Sequence, residues 1–202
     1  MKSSRTIRLI LLGALLAVVI ATPALASGTE TGTELQAWAL DRYAEAGLEL
    51  PDVEIHLHDD LDACEGSFGL HTAGAATSRI DVCTDPQVDP HWIILHELGH
   101  AWASLNLDDQ QRDRFVALRR LEAWNDQDPR WNERGTEHAT EILAWGLAET
   151  SRLPGRIADH DPTSVTEAFR FLTDTEPICD DNGSDAPAPP EEANNRRGGP
   201  LA

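Results

Sequence analysis

Residues 91–107 read HWIILHELGHAWASLNL, and the spacing of their apolar and polar side chains decides the fold around them. Ile93, Ile94, Leu95, Leu98, Ala101 and Trp102 recur with the period of a helix rather than the alternation of a strand. Set among them are His96, Glu97 and His100, the pattern HExxH. Two His four residues apart lie one turn above each other on one helix face. Both imidazoles can therefore reach a single zinc ion at ~2.0–2.1 Å. Glu97 stands beside them, where a carboxylate can take a proton from an attacking water and hand it to a leaving group. Two imidazoles and a carboxylate are costly to bury in an apolar helix unless something pairs with them, and a metal ion would do so. A plain core helix with hydrogen-bonded polar groups is the alternative reading.

A catalytic zinc site needs a third protein ligand and an open fourth position. In the extended pattern HExxHxxGxxH, Gly and His follow the motif, but here those positions hold Ala103 and Asn106. The third ligand must come from later in the chain. Residues 134–145 read RGTEHATEILAW, with Glu137 and Glu141 four apart on one helix face and Ile142, Leu143 and Trp145 on the other. On spacing alone either acid can be the ligand, and a solvated acidic face is the bland alternative.

Upstream, Val53, Ile55 and Leu57 alternate with Glu54, His56 and His58, the period of a half-buried strand. Residues 67–72 and 79–84 continue a small, mostly antiparallel sheet of three or four strands. Before it, Thr33 with Gln36 reads as a capping box, and Leu35, Trp38, Ala39, Tyr43 and Ala46 follow at helical spacing until Gly47 to Pro51. Beyond the HExxH helix, further helices are expected over 109–124, 133–150 and 164–173. The fold class is therefore α+β: an N-terminal helix, a small sheet, the HExxH helix and C-terminal helices. His56 and His58 read as a solvated strand face, and His71, His91 and His160 as lone residues without ligand spacing. His138 lies about 100° around its helix from Glu137, beside the site rather than in it.

The chain has 202 residues, three cysteines and Lys+Arg 16 against Asp+Glu 35, a formal charge of −19. That balance excludes tracking of a nucleic-acid backbone or an anionic membrane surface and favours cationic partners. Residues 1–26 carry Lys2, Arg5 and Arg8, an apolar run and an Ala24-Leu25-Ala26 ending, the layout of a cleaved signal peptide. The apolar run is shorter than a spanning helix needs, so a secreted chain without a membrane anchor is expected. Removal of three positive charges takes −19 to −22. In an oxidising compartment Cys64 and Cys83 read as a disulfide across a strand pair, stabilising by ~3 kcal/mol. Cys179 is left over at the edge of a Pro-, Gly- and acid-rich tail, 177–202, read as disordered.

With its HELGH motif and its later Glu137-xxx-Glu141 pair, the sequence resembles the gluzincin metallopeptidases, the class that includes thermolysin. It is also similar to uncharacterised secreted zinc metallopeptidases of actinobacteria, in the signal, the strand cysteines, HELGH and the Glu-rich AWGL helix. The likeness covers about 33–173 and implies a minimal zincin-like domain over 27–176, one Zn2+ per chain and hydrolysis of peptide or protein substrates. It implies His96, His100 and Glu137 as metal ligands, Glu97 as general base and Glu141 as the acid that orients a ligating His. The family carries Asp where Glu141 stands, is far longer, and stabilises its oxyanion with a Tyr or His that this sequence does not identify. A zinc-bearing or partner-binding domain without peptidase activity is the competing reading.

Overall fold

Asp89 and Pro90 start the central helix. The Asp89 carboxylate accepts from the His91 N–H at 3.0 Å, and Pro90 occupies the first turn, where its missing N–H has no partner to lose. The computed structural model describes residues 32–74, 77–85, 88–125, 130–148 and 153–178. In chain order these form α1 (Gly32–Glu45), β1 (Val53–His58), β2 (Gly69–Thr72), β3 (Ser78–Cys83), α2 (Pro90–Asn106), α3 (Asp109–Leu118), α4 (Gly135–Leu147) and α5 (Pro162–Thr173), with single 3-10 turns at Asp62–Cys64 and Trp131–Glu133. The expected signal segment, Cys179 and the tail beyond Ile178 lie outside the described residues. No described helix is long and apolar enough to cross a membrane.

The α+β class holds, but the sheet is mixed rather than mostly antiparallel. Its order is β1-β3-β2, with β3 parallel to β1 and antiparallel to β2. The ten residues between β1 and β2 carry the chain past the place next to β1, and β3 returns to fill it. Alternation marks a strand but is blind to the direction of its neighbour. The central strand is the buried one, with Ile80, Val82 and Cys83 fully covered. Cys83 is bonded to Cys64 in the first 3-10 turn.

Below the sheet α2 packs on α4, and every residue of α4 is buried. Gly99 faces Thr140, and a Cβ there would lie 3.2 Å from the Thr140 Cα. A side chain at this position would push the two helices apart, so glycine sets their separation. Helix α1 is tied on by Tyr43, whose hydroxyl donates to the Leu95 carbonyl at 2.9 Å. The expected capping box is not made. The helix begins at Gly32, ahead of Thr33, and the Gln36 amide donates instead to Ile55 O in β1.

Helix α3 also ends earlier than its apolar spacing suggests. Arg120 turns to φ +56°, and the Leu121 and Arg120 N–H groups close back on Val116 and Ala117. The chain after this turn serves α4, because Ala123 O and Trp124 O accept the Gly135 and Thr136 N–H groups at 3.0 and 2.8 Å. Backbone thus caps a helix that has no side-chain cap. At the other end, the Ile178 N–H donates to Gly146 O, so the folded body runs two residues past the expected boundary at 176.

Candidate metal centre

Helix periodicity puts His96 and His100 on the face of α2 that meets α4, and the close approach at Gly99 brings Glu137 between them. The Glu137 Oε2 lies 3.3 Å from His96 Nε2 and 3.5 Å from His100 Nε2. That oxygen is buried without a hydrogen-bond partner. Bonds of ~2.0–2.1 Å at tetrahedral angles would set ligand atoms ~3.3–3.4 Å apart, so these three donors are spaced for one small divalent cation. Among the described residues no other group of three His, Cys, Asp or Glu side chains gathers its donor atoms in this way.

Glu141 takes the outward position. Its Oε1 lies 3.3 Å from His96 Nδ1, on the far side of the ring from Glu137, and the residue is 1% exposed. Of the two acids, Glu137 faces both Nε2 atoms and Glu141 faces the Nδ1 of His96. A matching partner for His100 comes from Thr136, whose hydroxyl is 3.2 Å from His100 Nδ1. Thr140 lies 3.2 Å from His96 Nε2 and donates to Glu137 O. One face of α4 therefore supplies Thr136, Glu137, Thr140 and Glu141 together. The two threonines carry no metal-ligand signature, which is why spacing did not find them.

Burial by itself lowers the pKa of His96, but the carboxylates of Glu137 and Glu141 on its two sides overcome this and raise it. Burial likewise raises Glu137, and the facing His100 and His96 pull it down below the usual carboxylate range.

Glu97 lies on the same pocket wall. Its pKa is raised by burial, against the lowering pull of His96 and His100. Gly69 at the start of β2 makes room for it, since a Cβ there would overlap the Glu97 Oε1. The pocket encloses about 300 Å³ and is bounded by Gly69, Leu70 and His71 of β2 on one side and by Asn125 and Trp131 on the other.

His71, read from sequence as a lone residue, belongs to this wall. Its ring is stacked on His100 with centroids 6.0 Å apart, and its Nε2 is 3.3 Å from Ser78 Oγ. Burial and then the charge of His100 lower its pKa to about 4, leaving a neutral imidazole. His138 stays out of the pocket, as its position around the helix suggested. It is fully buried and its Nε2 donates to Asn132 O at 2.9 Å, which fixes the turn that carries Trp131. Trp131 in turn stacks on His96, ring centroids 5.9 Å apart. His56 and His58 sit on the sheet face opposite α2, with His58 Nε2 2.7 Å from Asp81 Oδ1.

Comparison of the chain with protein-family models, curated proteins and solved structures finds no match. The arrangement of the site itself therefore carries the functional reading.

Proposed function

We propose that the chain is a secreted zinc-dependent metallopeptidase of gluzincin type, in which His96, His100 and Glu137 hold one Zn2+ and Glu97 is the general base. The observation that carries this reading is the convergence of both Nε2 atoms on one unpaired, buried oxygen of Glu137, with Glu97 in the adjoining pocket. Zinc, when bound, supplies Lewis acidity to a scissile carbonyl and to a water. Glu97 takes the proton of the attacking water and delivers it to the departing amine. Burial raises its pKa above the usual carboxylate value, the direction that helps it hold a proton between the two transfers. Glu141, 3.3 Å from Nδ1 of His96, and Thr136, 3.2 Å from Nδ1 of His100, stand where outer partners orient ligating rings.

Strand β2 lies at the sheet edge beside the pocket. Its free side suits pairing with an extended peptide, whose main chain would then be drawn across Glu97 and the metal.

The test is zinc per chain by elemental mass spectrometry, with hydrolysis of a mixed peptide library followed in parallel. The wild type is expected to hold about one zinc and to cleave. Glu137→Gln should lose the metal, Glu141→Gln should bind it more weakly, and Glu97→Gln should keep it while losing cleavage. An absence of metal in zinc-replete wild type overturns the proposal, as does cleavage that survives in Glu97→Gln.

A further inference from the structure

The pocket wall is acidic, with Glu97, Glu137 and Glu141 all buried in it or behind it. Next to that wall, though not lining the pocket itself, stands Arg156, packed over Trp131. Arg156 belongs to the loop between α4 and α5, whose backbone is held on either side by the buried Pro154 and Ile157. Arg119 fastens the same loop, donating to the carbonyls of Ala158 and Asp159 at 2.7 and 2.9 Å. From this fixed base the Arg156 guanidinium lies 4.2 Å above the ring of Trp131, the residue that lines the pocket and stacks on His96.

Its relation to Glu141 is close but incomplete. Arg156 Nη1 is 3.8 Å from Glu141 Oε1, beyond hydrogen-bond range, and the Arg156 side chain is 62% exposed. Among the described residues the guanidinium makes no hydrogen bond. Arg130, next to Trp131 in the chain, is committed elsewhere, paired with Glu133 at 3.0 Å. A cation needed only to neutralise Glu141 would sit in bonding contact with it. This one instead rests on the aromatic face of Trp131 and keeps, among the described residues, only that loose ion pair with Glu141.

We propose that Arg156, pre-positioned on Trp131, forms a carboxylate-binding subsite beside the pocket, so that favoured substrates carry a carboxylate close to the scissile bond. A guanidinium binds a carboxylate through two parallel N–H···O bonds. Stacking on Trp131 removes much of the rotamer freedom that such binding would otherwise cost. The carboxylate can belong to an acidic side chain or to a free C-terminus, and the chemistry of recognition is the same.

The inference rests on the peptidase reading, and its test is built to fail separately from it. Three probes are used: acetyl-Ala-Ala-Glu-Ala-Ala-amide, its Gln counterpart, and the Gln peptide with a free C-terminal carboxylate. Their affinities are measured by calorimetry on zinc-loaded Glu97→Gln protein, alone and combined with Arg156→Gln or Arg156→Lys. A carboxylate-bearing probe is expected to bind about tenfold tighter than the neutral one. The ratio should fall to about one in Arg156→Gln and be partly kept in Arg156→Lys. Whichever of the two charged probes shows the preference identifies the source of the carboxylate. Equal affinity for all three probes, no binding of any, or a preference that survives Arg156→Gln overturns the subsite. Absence of turnover in the wild type would count against the peptidase reading alone, since the affinity ratio needs no cleavage.

Discussion

At the scale of single residues, the site depends on side chains that do no chemistry. Thr136 contacts His100 Nδ1 and Glu141 faces His96 Nδ1, so each of the two rings proposed to bind zinc is backed by α4. Outer partners of this kind are worth about 10- to 100-fold in metal affinity. Thr136→Val keeps the shape of the side chain and removes the hydroxyl. It should weaken zinc binding by about tenfold in a chelator competition while leaving the far-UV circular dichroism unchanged. Gly69 is a second such residue. A methyl group there would overlap the Glu97 carboxylate, and the strand backbone that carries it is paired with β3 and has little freedom to retreat. In Gly69→Ala the carboxylate must move off the pocket wall. The expected result is a kcat lowered by about tenfold or more with zinc content intact, read from steady-state kinetics and elemental analysis on the same preparation.

At the scale of elements, periodicity was sufficient wherever a chain segment meets its core through one face. The apolar positions around His96 place α2, and the alternation from Val53 to His58 places β1, because burial imposes those periods directly. HExxH and the later Glu pair were legible for the same reason, since four residues make one helical turn. What spacing does not encode is which segment lies beside which. Strand direction, the early end of α3 and the backbone cap of α4 by Ala123 and Trp124 all depend on contacts distant in sequence. His71 was missed because its partner His100 comes from another element.

The face of β1 and β3 away from α2 offers a test at this scale. The Arg79 guanidinium donates to Asp81 Oδ2 and Oδ1, both at 2.7 Å, and His58 adds a third contact. The bonds from Arg79 first, then that of His58, lower the Asp81 pKa from 3.8 to about 2, against its burial. A carboxyl with a depressed folded pKa contributes stability that is present above its unfolded value and lost as pH falls toward the folded one. The window therefore runs from about pH 4 down to about pH 2. Within it the contribution is of the order of 1 kcal/mol, since solvent at the open sheet face screens the pairing with Arg79. The gap in melting temperature between wild type and Asp81→Asn should be constant from pH 7 to about pH 4 and should narrow below it. A gap independent of pH would show that Asp81 is held by packing rather than by its charge.

At the scale of the whole molecule, two charge effects of opposite sign would act on a peptide substrate, and distance separates them. The chain carries −19 overall, a field that draws cationic peptides toward any part of the surface and repels anionic ones. The subsite proposed at Arg156 would act only in contact, on a carboxylate already seated beside Trp131. Salt distinguishes the two. The screening length is about 10 Å at 0.1 M and about 3 Å at 1 M, so long-range attraction fades with ionic strength while a contact pair resting on Trp131 is screened less. For a peptide flanked by several lysines, kcat/KM should fall about tenfold as salt rises from about 0.01 M to about 0.5 M. The loss should appear as a higher KM at constant kcat, because approach weakens and the reacting geometry does not. For an uncharged peptide the profile should stay flat. When each peptide is paired with a variant carrying Glu in place of Gln beside the cleaved bond, the ratio between partners should persist across the same range. A Lys-rich peptide with a flat salt profile would mean that the acidic surface has no part in substrate capture. A Glu-to-Gln ratio that collapses together with the Lys-rich kcat/KM would mean that both preferences arise from the distant field, leaving Arg156 no selective role.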